Sequence, residues 1–367
     1  MIGIQTLFKS QKTIPHLHFM GNNIISNAYI QFIRQHFQFE QHVFVLLKGV
    51  SAEKIGVLGN NNVWHCNRSK DIFKLIYMMN KADNIYLHSL FMKNLVKLLF
   101  AQPWLIKRSS WLVWGGDLYG FKDKQGHREA RYYQWIKKAV IKRLKHIITG
   151  IQGDYNVILS QYNVKASHIS AGYPNQISIQ YLEDIKQTAK RSHFKTTIKI
   201  LVGNSATETN LHFKSFELLA QYSNQNIEVI VPLTYGNPDY RNKVIENGKT
   251  LFGDKFKSIT EHIPLDDYIK FLGSVDIALM VHSRQQAVTT IRYLLFFGKK
   301  VYLNIETTTY KHFIDQDITV LNYKSLHHCN YSEFIRFKES VKQVNYQKIG
   351  DFYLKNICKW KSVFAEE

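Results

Sequence analysis

Along the first 150 residues, short segments dominated by apolar positions alternate with longer ones in which apolar residues recur at helical spacing. The segments at 16–20, 43–47, 84–87, 111–114 and 146–149 read as strands. Those at 24–38, 71–80, 92–101 and 129–145 read as helices. Within the last, Tyr132, Ile136, Val140 and Leu144 fall four apart and mark one apolar face. Strands alternating with helices in this way predict a parallel sheet covered by helices.

A polar and charged stretch over 181–197 has the composition of a linker or connecting helix, after which the alternation restarts. Strands are expected at 198–202, 227–231, 276–281 and 300–303, with a short one at 318–321. Helices are expected at 211–222, 239–251, 265–272 and 286–297. The predicted architecture is α/β, two Rossmann-like domains facing across a cleft. The first covers 1–185 and the second 186–345, while a helix over 346–367 packs back towards the first.

Composition adds one strong constraint. The 367 residues carry 48 Lys and Arg against 28 Asp and Glu, a formal charge of +20, which favours a polyanionic partner: nucleic acid, an anionic membrane or a phosphorylated substrate. The three cysteines, Cys66, Cys329 and Cys358, lie far apart and form no disulfide or metal framework, which suits a reducing cytosol. No apolar run reaches the length of a spanning helix and the N-terminus lacks the pattern of a signal peptide, so any membrane contact is expected to be peripheral.

The candidate chemistry sits in polar loops that follow apolar strands. In LVGNSATETN, residues 201–210, Gly203, Asn204 and Ser205 precede a helix, and backbone N–H groups with hydroxyls there suit a diphosphate. The same Ser205-Ala-Thr-Glu208 also fits a capping box that merely starts the helix. In HSRQQAVTT, residues 282–290, Arg284 offers a bidentate clamp for phosphate or carbonyl, with Gln285 and Gln286 as amide readers. The alternative has Ser283 capping a helix and Arg284 solvated on its first turn. In WLVWGGDLYG, residues 111–120, Gly115 and Gly116 lead to Asp117, a general base, a binder of substrate hydroxyls or a turn residue. Gly21 and Asn22 after the first strand, and His88 at the end of the third, are further candidates, with a satisfied structural role the alternative for the histidine.

Asp315-Gln-Asp317 matches a DxD metal motif, but its place before a short strand reads better as a turn, and no metal site is expected. The helix at 128–145 is basic apart from Glu129 and carries Trp135, a composition that suits an anionic lipid surface. A nucleic-acid-binding protein would also suit the charge. No nucleic-acid motif appears, however, and that reading leaves the polar loops unused, so no nucleic acid is expected as a partner.

Four of these segments occur in order: VWGGDLY at 113–119, ILVGNSATETNLH at 200–212, PLTYG at 232–236 and SRQQAVTTI at 283–291. Together they resemble glycosyltransferase family 56. The resemblance implies the GT-B fold and transfer of 4-acetamido-4,6-dideoxy-D-galactose (Fuc4NAc) from a dTDP-sugar. The acceptor it implies is a polyprenyl-diphosphate-linked saccharide, as in enterobacterial common antigen synthesis. By the same resemblance the second domain holds the donor through Gly203, Asn204, Ser205, Thr234, Tyr235, Arg284, Gln285 and Gln286. The first holds the acceptor around Gly21, Asn22, His88, Gly115 and Gly116, with Asp117 catalytic. It further implies metal-independent hexosyl transfer without a cofactor, at the cytoplasmic face of a bacterial inner membrane. Gly115-Gly116-Asp117 departs from the usual Gly-Ala-Asp, which leaves the sugar and the acceptor open. A UDP-sugar donor is the alternative within the same fold.

Overall fold

The computed structural model describes residues 13–47, 62–66, 71–119, 128–174, 177–191 and 197–364. The first twelve residues, Gly120 and residues 192–196 of the expected linker lie outside the described residues. The chain divides between residues 176 and 177 and again between 354 and 355.

The first unit is built on β1 (Ile14–Gly21), β2 (His42–Leu47), β3 (Val63–Cys66), β4 (Ala82–His88), β5 (Ser109–Leu112), β6 (His146–Ile148) and β7 (Ser167–Ile169). They form one parallel sheet in the order β3-β2-β1-β4-β5-β6-β7. The second unit repeats the plan with β8 (Ile198–Val202), β9 (Ile227–Pro232), β10 (Phe256–Ile259), β11 (Ile277–Met280), β12 (Lys300–Leu303) and β13 (Leu321–Asn322). Its order is β10-β9-β8-β11-β12-β13, again parallel. In each sheet the first strand lies inside and the order reverses beside it. The carboxyl ends of β1 and β4, and of β8 and β11, therefore form the switch points at which such sheets bind ligands.

Both faces of each sheet are covered, which is why the inner strands read as nearly continuous apolar runs. In the second unit Ile200, Val202, Val229 and Leu279 point into one core, while Leu201, Ala278, Met280 and Val301 point into the other. The expected domain boundary at 185/186 falls inside the helix Ile179–Arg191. Leu182 and Ile185 of that helix are buried in the second unit's core, which moves the division to 176/177. The helix Glu339–Phe364 is shared: Ile349 and Phe352 are buried in the second core, whereas Trp360, Val363 and Phe364 are buried in the first. Asn356 fastens its end by exchanging two hydrogen bonds with the Gly172 backbone, whose carbonyl also accepts from Trp360 Nε1 at 2.8 Å.

The face of the first sheet that this helix covers is unusual in being partly polar. His16 and His18 of β1, His42 of β2 and His88 of β4 are all buried there. His18 is hydrogen-bonded to His42 at 2.9 Å and to His88 at 3.2 Å, and His88 Nδ1 meets the Tyr173 hydroxyl at 2.9 Å. A neutral imidazole can donate from one nitrogen and accept at the other, so uncharged rings can link in such a run. Burial accordingly lowers His16 to about 4 and His42 and His88 to about 3, and holds His18 well below its usual range. Depressed folded-state pKa values mean that the unfolded chain takes up protons first as pH falls. The stability from this cluster is therefore complete above about pH 6.5 and is lost between about 6.5 and 3. Urea unfolding at pH 7 and pH 5 should show lower stability at pH 5, with a shallower pH slope in His42→Phe. Equal slopes in the two proteins would refute the assignment.

Candidate active site

Three loops converge at the switch point of the second sheet. The first leaves β8 through Gly203, whose φ of 65° lies in the left-handed region and whose N–H donates to Leu279 O. A Cβ there would sit 2.7 Å from Asn210 Oδ1 and 2.8 Å from His212 Nε2, so the chain passes where only glycine fits. Asn210 folds the loop on itself: its Oδ1 accepts from Asn204 N, and its Nδ2 donates to the Ser205 and Thr207 hydroxyls. The second loop follows β9. Ala206 N donates to Tyr235 O and Asn237 N to Ala206 O, a backbone bridge that needs Gly236, where a Cβ would fall 2.3 Å from Ala206 O.

The third loop follows β11 and is tied to the first by one side chain. Gln286 Oε1 accepts from the Thr209 hydroxyl at 2.8 Å, while its Nε2 donates to Asn204 Oδ1 at 2.9 Å and Ser205 Oγ at 3.2 Å. Asn204 Nδ2 in turn donates to the Tyr235 hydroxyl at 2.8 Å. Asn204, Ser205, Tyr235 and Gln286 thus form one network, with Thr234 beside it on the second loop. Arg284 Nη1 donates to Gln285 O. Gln285 Oε1 is buried with no hydrogen-bond partner.

Both helix-start alternatives fail. The helix after the first loop begins at His212, capped by Leu211 at φ 49°, and that after the third begins at Val288, capped by Ala287 at φ 54°. Neither Ser205 nor Ser283 caps, and Arg284 lies in the loop before the helix rather than on its first turn. Two nonglycine residues held left-handed beside one site are a local strain that tertiary packing must maintain.

His212 and His282 flank the same strand ends, and sequence reasoning missed both, together with Asn210. Each histidine has a buried Nε2 without a partner. Burial lowers His212 to about 4 and His282 to about 3, the latter helped by His212 and Arg284. His282 is the first polar residue after the apolar run of β11, a signal masked by the more conspicuous Arg284.

In the first unit the structure corrects two expectations. Asp117 does not face a cleft: it is 2% exposed and lies in the short helix Gly115–Tyr119. Its Oδ2 accepts from Leu90 N at 2.7 Å and Trp111 Nε1 at 2.8 Å, and its Oδ1 accepts from Trp114 N at 2.8 Å. Burial pushes the carboxyl up to about 6 against the opposing pull of Lys137 and these three bonds. With its oxygens engaged by donors, Asp117 pins the loops after β4 and β5 and is not disposed as a solvent-facing base. His88 likewise belongs to the buried histidine run rather than to an acceptor surface. Gly116 admits the Phe91 ring, which a Cβ would meet at 2.9 Å. Gly21, Asn22 and Gly115 remain partly accessible at the carboxyl ends of β1 and β5.

The Asp-Gln-Asp stretch is a turn. Asp315 closes the helix Thr308–Ile314, and Asp317, at φ 53°, pairs with Lys348. Among the described residues no group of three His, Cys, Asp or Glu is placed to hold a metal.

Two Rossmann-ordered units in one chain, with polar loops gathered at a switch point, invite comparison with known structures. A glycosyltransferase from Rickettsia africae matches with a TM-score of 0.67 at 14% identity, over 97% of this chain and 99% of that one. A UDP-forming trehalose-phosphate synthase from Burkholderia xenovorans matches at 0.63 and 8% identity, over 96% and 98%. WaaG, a glycosyltransferase of lipopolysaccharide biosynthesis, matches at 0.61 and 10% identity, over 96% and 100%. The fold is GT-B, and the protein is a glycosyltransferase. More narrowly, the family described as 4-alpha-L-fucosyltransferase glycosyl transferase group 56 matches residues 13–367, and the chain belongs to glycosyltransferase family 56.

Two substitutions test the geometry. Gly236→Ala should lower unfolding free energy by roughly 1–3 kcal/mol, because φ is 122° and the added methyl meets the Ala206 carbonyl. Asp117→Asn should cost about 1–3 kcal/mol, since an amide N–H₂ must face one of the donors now bonded to the carboxylate. Denaturant titration checks both, and a wild-type midpoint for Asp117→Asn would rule out its role as a pin.

Proposed function

We propose that this glycosyltransferase moves a Fuc4NAc-type sugar from a dTDP-sugar to a polyprenyl-diphosphate-linked saccharide, in bacterial surface polysaccharide synthesis. The observation that carries the donor half is the three-loop network at the switch point of the second sheet. Membership of family 56 supports the reaction class.

In this reading the backbone of Gly203, Asn204 and Ser205 meets the diphosphate, and Arg284 neutralises the charge that develops on the leaving dTDP. Tyr235, 59% exposed on the second loop beside Thr234, lines the nucleotide pocket. The Gln286 amide is committed to joining the loops, so it shapes the pocket; reading the base or sugar falls to Gln285, whose buried Oε1 has an acceptor to offer. Gly21, Asn22 and Gly115 mark the acceptor side, with Asp117 acting through the loops it pins. No metal takes part in transfer. No helix among the described residues is long and apolar enough to cross a membrane, and the reading places the enzyme peripherally on the cytoplasmic face of the inner membrane, where the lipid-linked acceptor resides.

Calorimetric titration with dTDP and with UDP, each with and without chelator, tests this reading. The expected outcome is dTDP binding indifferent to chelator, with affinity at least tenfold lower in Arg284→Ala, a loss of roughly 1.5–3 kcal/mol for one charge-assisted contact. A preference for UDP would replace the donor while leaving the fold. Loss of binding on chelation would overturn the metal-free mechanism.

A further inference from the structure

One layer of the first unit has an outer surface unlike the rest of the described protein. The helices Ile72–Lys81, Lys93–Ala101 and Arg128–Ile141 cover the same face of the sheet, sending Leu75, Met78, Leu95, Val96, Ile136 and Val140 into a single core. Their outward sides, with the adjoining turns, expose Phe73, Tyr77, Phe91, Trp104, Tyr132 and Trp135. Among the described residues only two other aromatic side chains, Phe213 and Tyr235, are comparably exposed, so this layer holds most of them. Chance scatter of surface apolar groups does not concentrate rings in this way.

The rings are linked. Trp135 is 57% exposed, stacks on Tyr132 at 6.1 Å and meets Phe100 edge-on at 5.2 Å, joining the second and third helices. Trp104 Nε1 donates to Asn80 Oδ1 at 3.0 Å, joining the turn after the second helix to the end of the first. Beside Trp135 lies a cavity of about 590 Å³ lined by Phe100, Trp135 and Ala139 and by the cations Lys138, Lys142 and Arg143.

Charge follows the same surface. Residues 93–108 contain four Lys or Arg and no Asp or Glu, and residues 128–145 contain seven Lys or Arg and one acid, Glu129. Arg131, Trp135, Lys138 and Lys142 share one helical stripe by their spacing and are all exposed, while Lys137 on the inner side is buried against Asp117 O.

We infer that this three-helix layer is a docking face for an anionic lipid bilayer, with Trp104, Tyr132 and Trp135 at headgroup depth and Lys138, Lys142 and Arg143 on lipid phosphates. It rests on the reading of a membrane-resident acceptor for its purpose, and on the surface itself for its location. Charge complementarity selects anionic lipid. Rings spread over the outside of a helical layer, Phe73 and Phe91 among them, suit insertion between headgroups better than the base-stacking track of a single-stranded nucleic acid.

The test is flotation of the full chain with vesicles of phosphatidylcholine alone or mixed with phosphatidylglycerol. Binding is expected only to the mixed vesicles and should weaken as salt rises. Lys138→Glu/Lys142→Glu/Arg143→Glu and, separately, Tyr132→Ser/Trp135→Ser should each reduce partition roughly tenfold or more. Lys243→Glu/Lys249→Glu in the second unit should leave it unchanged. Thermal melting and dTDP calorimetry on the same variants separate docking from folding and from the donor reading: lost flotation with wild-type melting supports the face even if dTDP never binds. Wild-type flotation in both first-unit variants would overturn the inference. So would capture of single-stranded RNA, abolished by the same substitutions, without capture of mixed vesicles.

Discussion

A parallel sheet sends the carboxyl end of every strand to one edge, and this constraint organises everything else in the molecule. Helices must return the chain to the opposite edge, so each carboxyl end opens into a loop and the loops gather together. Because β8 lies inside its sheet, the chain leaves it towards β9 on one side and later places β11 on the other. The segments after β8 and β11 are left without a helix crossing between them, and Gly203, Asn204 and Gln286 meet in that gap. The site follows from strand order before it follows from any individual side chain.

The two units use polar residues at this edge in opposite ways. In the second, hydroxyls and amides bond to one another across three loops and set them in one arrangement, with Tyr235 exposed beside them. In the first, the conspicuous groups have turned inward: Asp117 gathers backbone and indole N–H groups, and His88 extends a run of imidazoles. Polarity at a strand end is thus compatible with either fate, and what decides is whether neighbouring backbone donors have another acceptor. Leu90 N, at a buried loop position, and Trp114 N, at a half-buried one, are met by Asp117, which explains a carboxylate inside the fold.

Legibility of the sequence tracks burial. The nine inner strands, covered on both faces, are all visible as largely apolar runs. The edge strands β3, β7 and β10 are not, because their residues are largely half-buried or exposed and no run develops. The fourth edge, β13, is visible only as the apolar stretch just before it. The loops after β8 and β11 are legible because polar residues break off sharply from such runs. The inward course of His88 is not, since it depends on register: β1 pairs His18 with Tyr86, which puts His88 two residues further along the same covered face. The end of the shared helix is legible as a helix, whereas the polar surface it covers becomes apparent only once His16, His18 and His42 are seen on adjacent strands.

The shared helix also bears on how the protein comes to be folded during synthesis. Trp360, Val363 and Phe364 complete a core whose other buried members all precede residue 177, so in contact terms the second unit is an insertion within the first. Residues 177–354 must be made in between, which at 5–20 residues per second takes roughly 10–40 s. Throughout that interval the histidine-rich face of the first sheet lacks its cover, while the second unit, contiguous in sequence, can form as soon as it emerges. The order of assembly on the ribosome would then be the reverse of the order of the strands: the later sheet closes first, and the earlier one waits for the last turns of a helix.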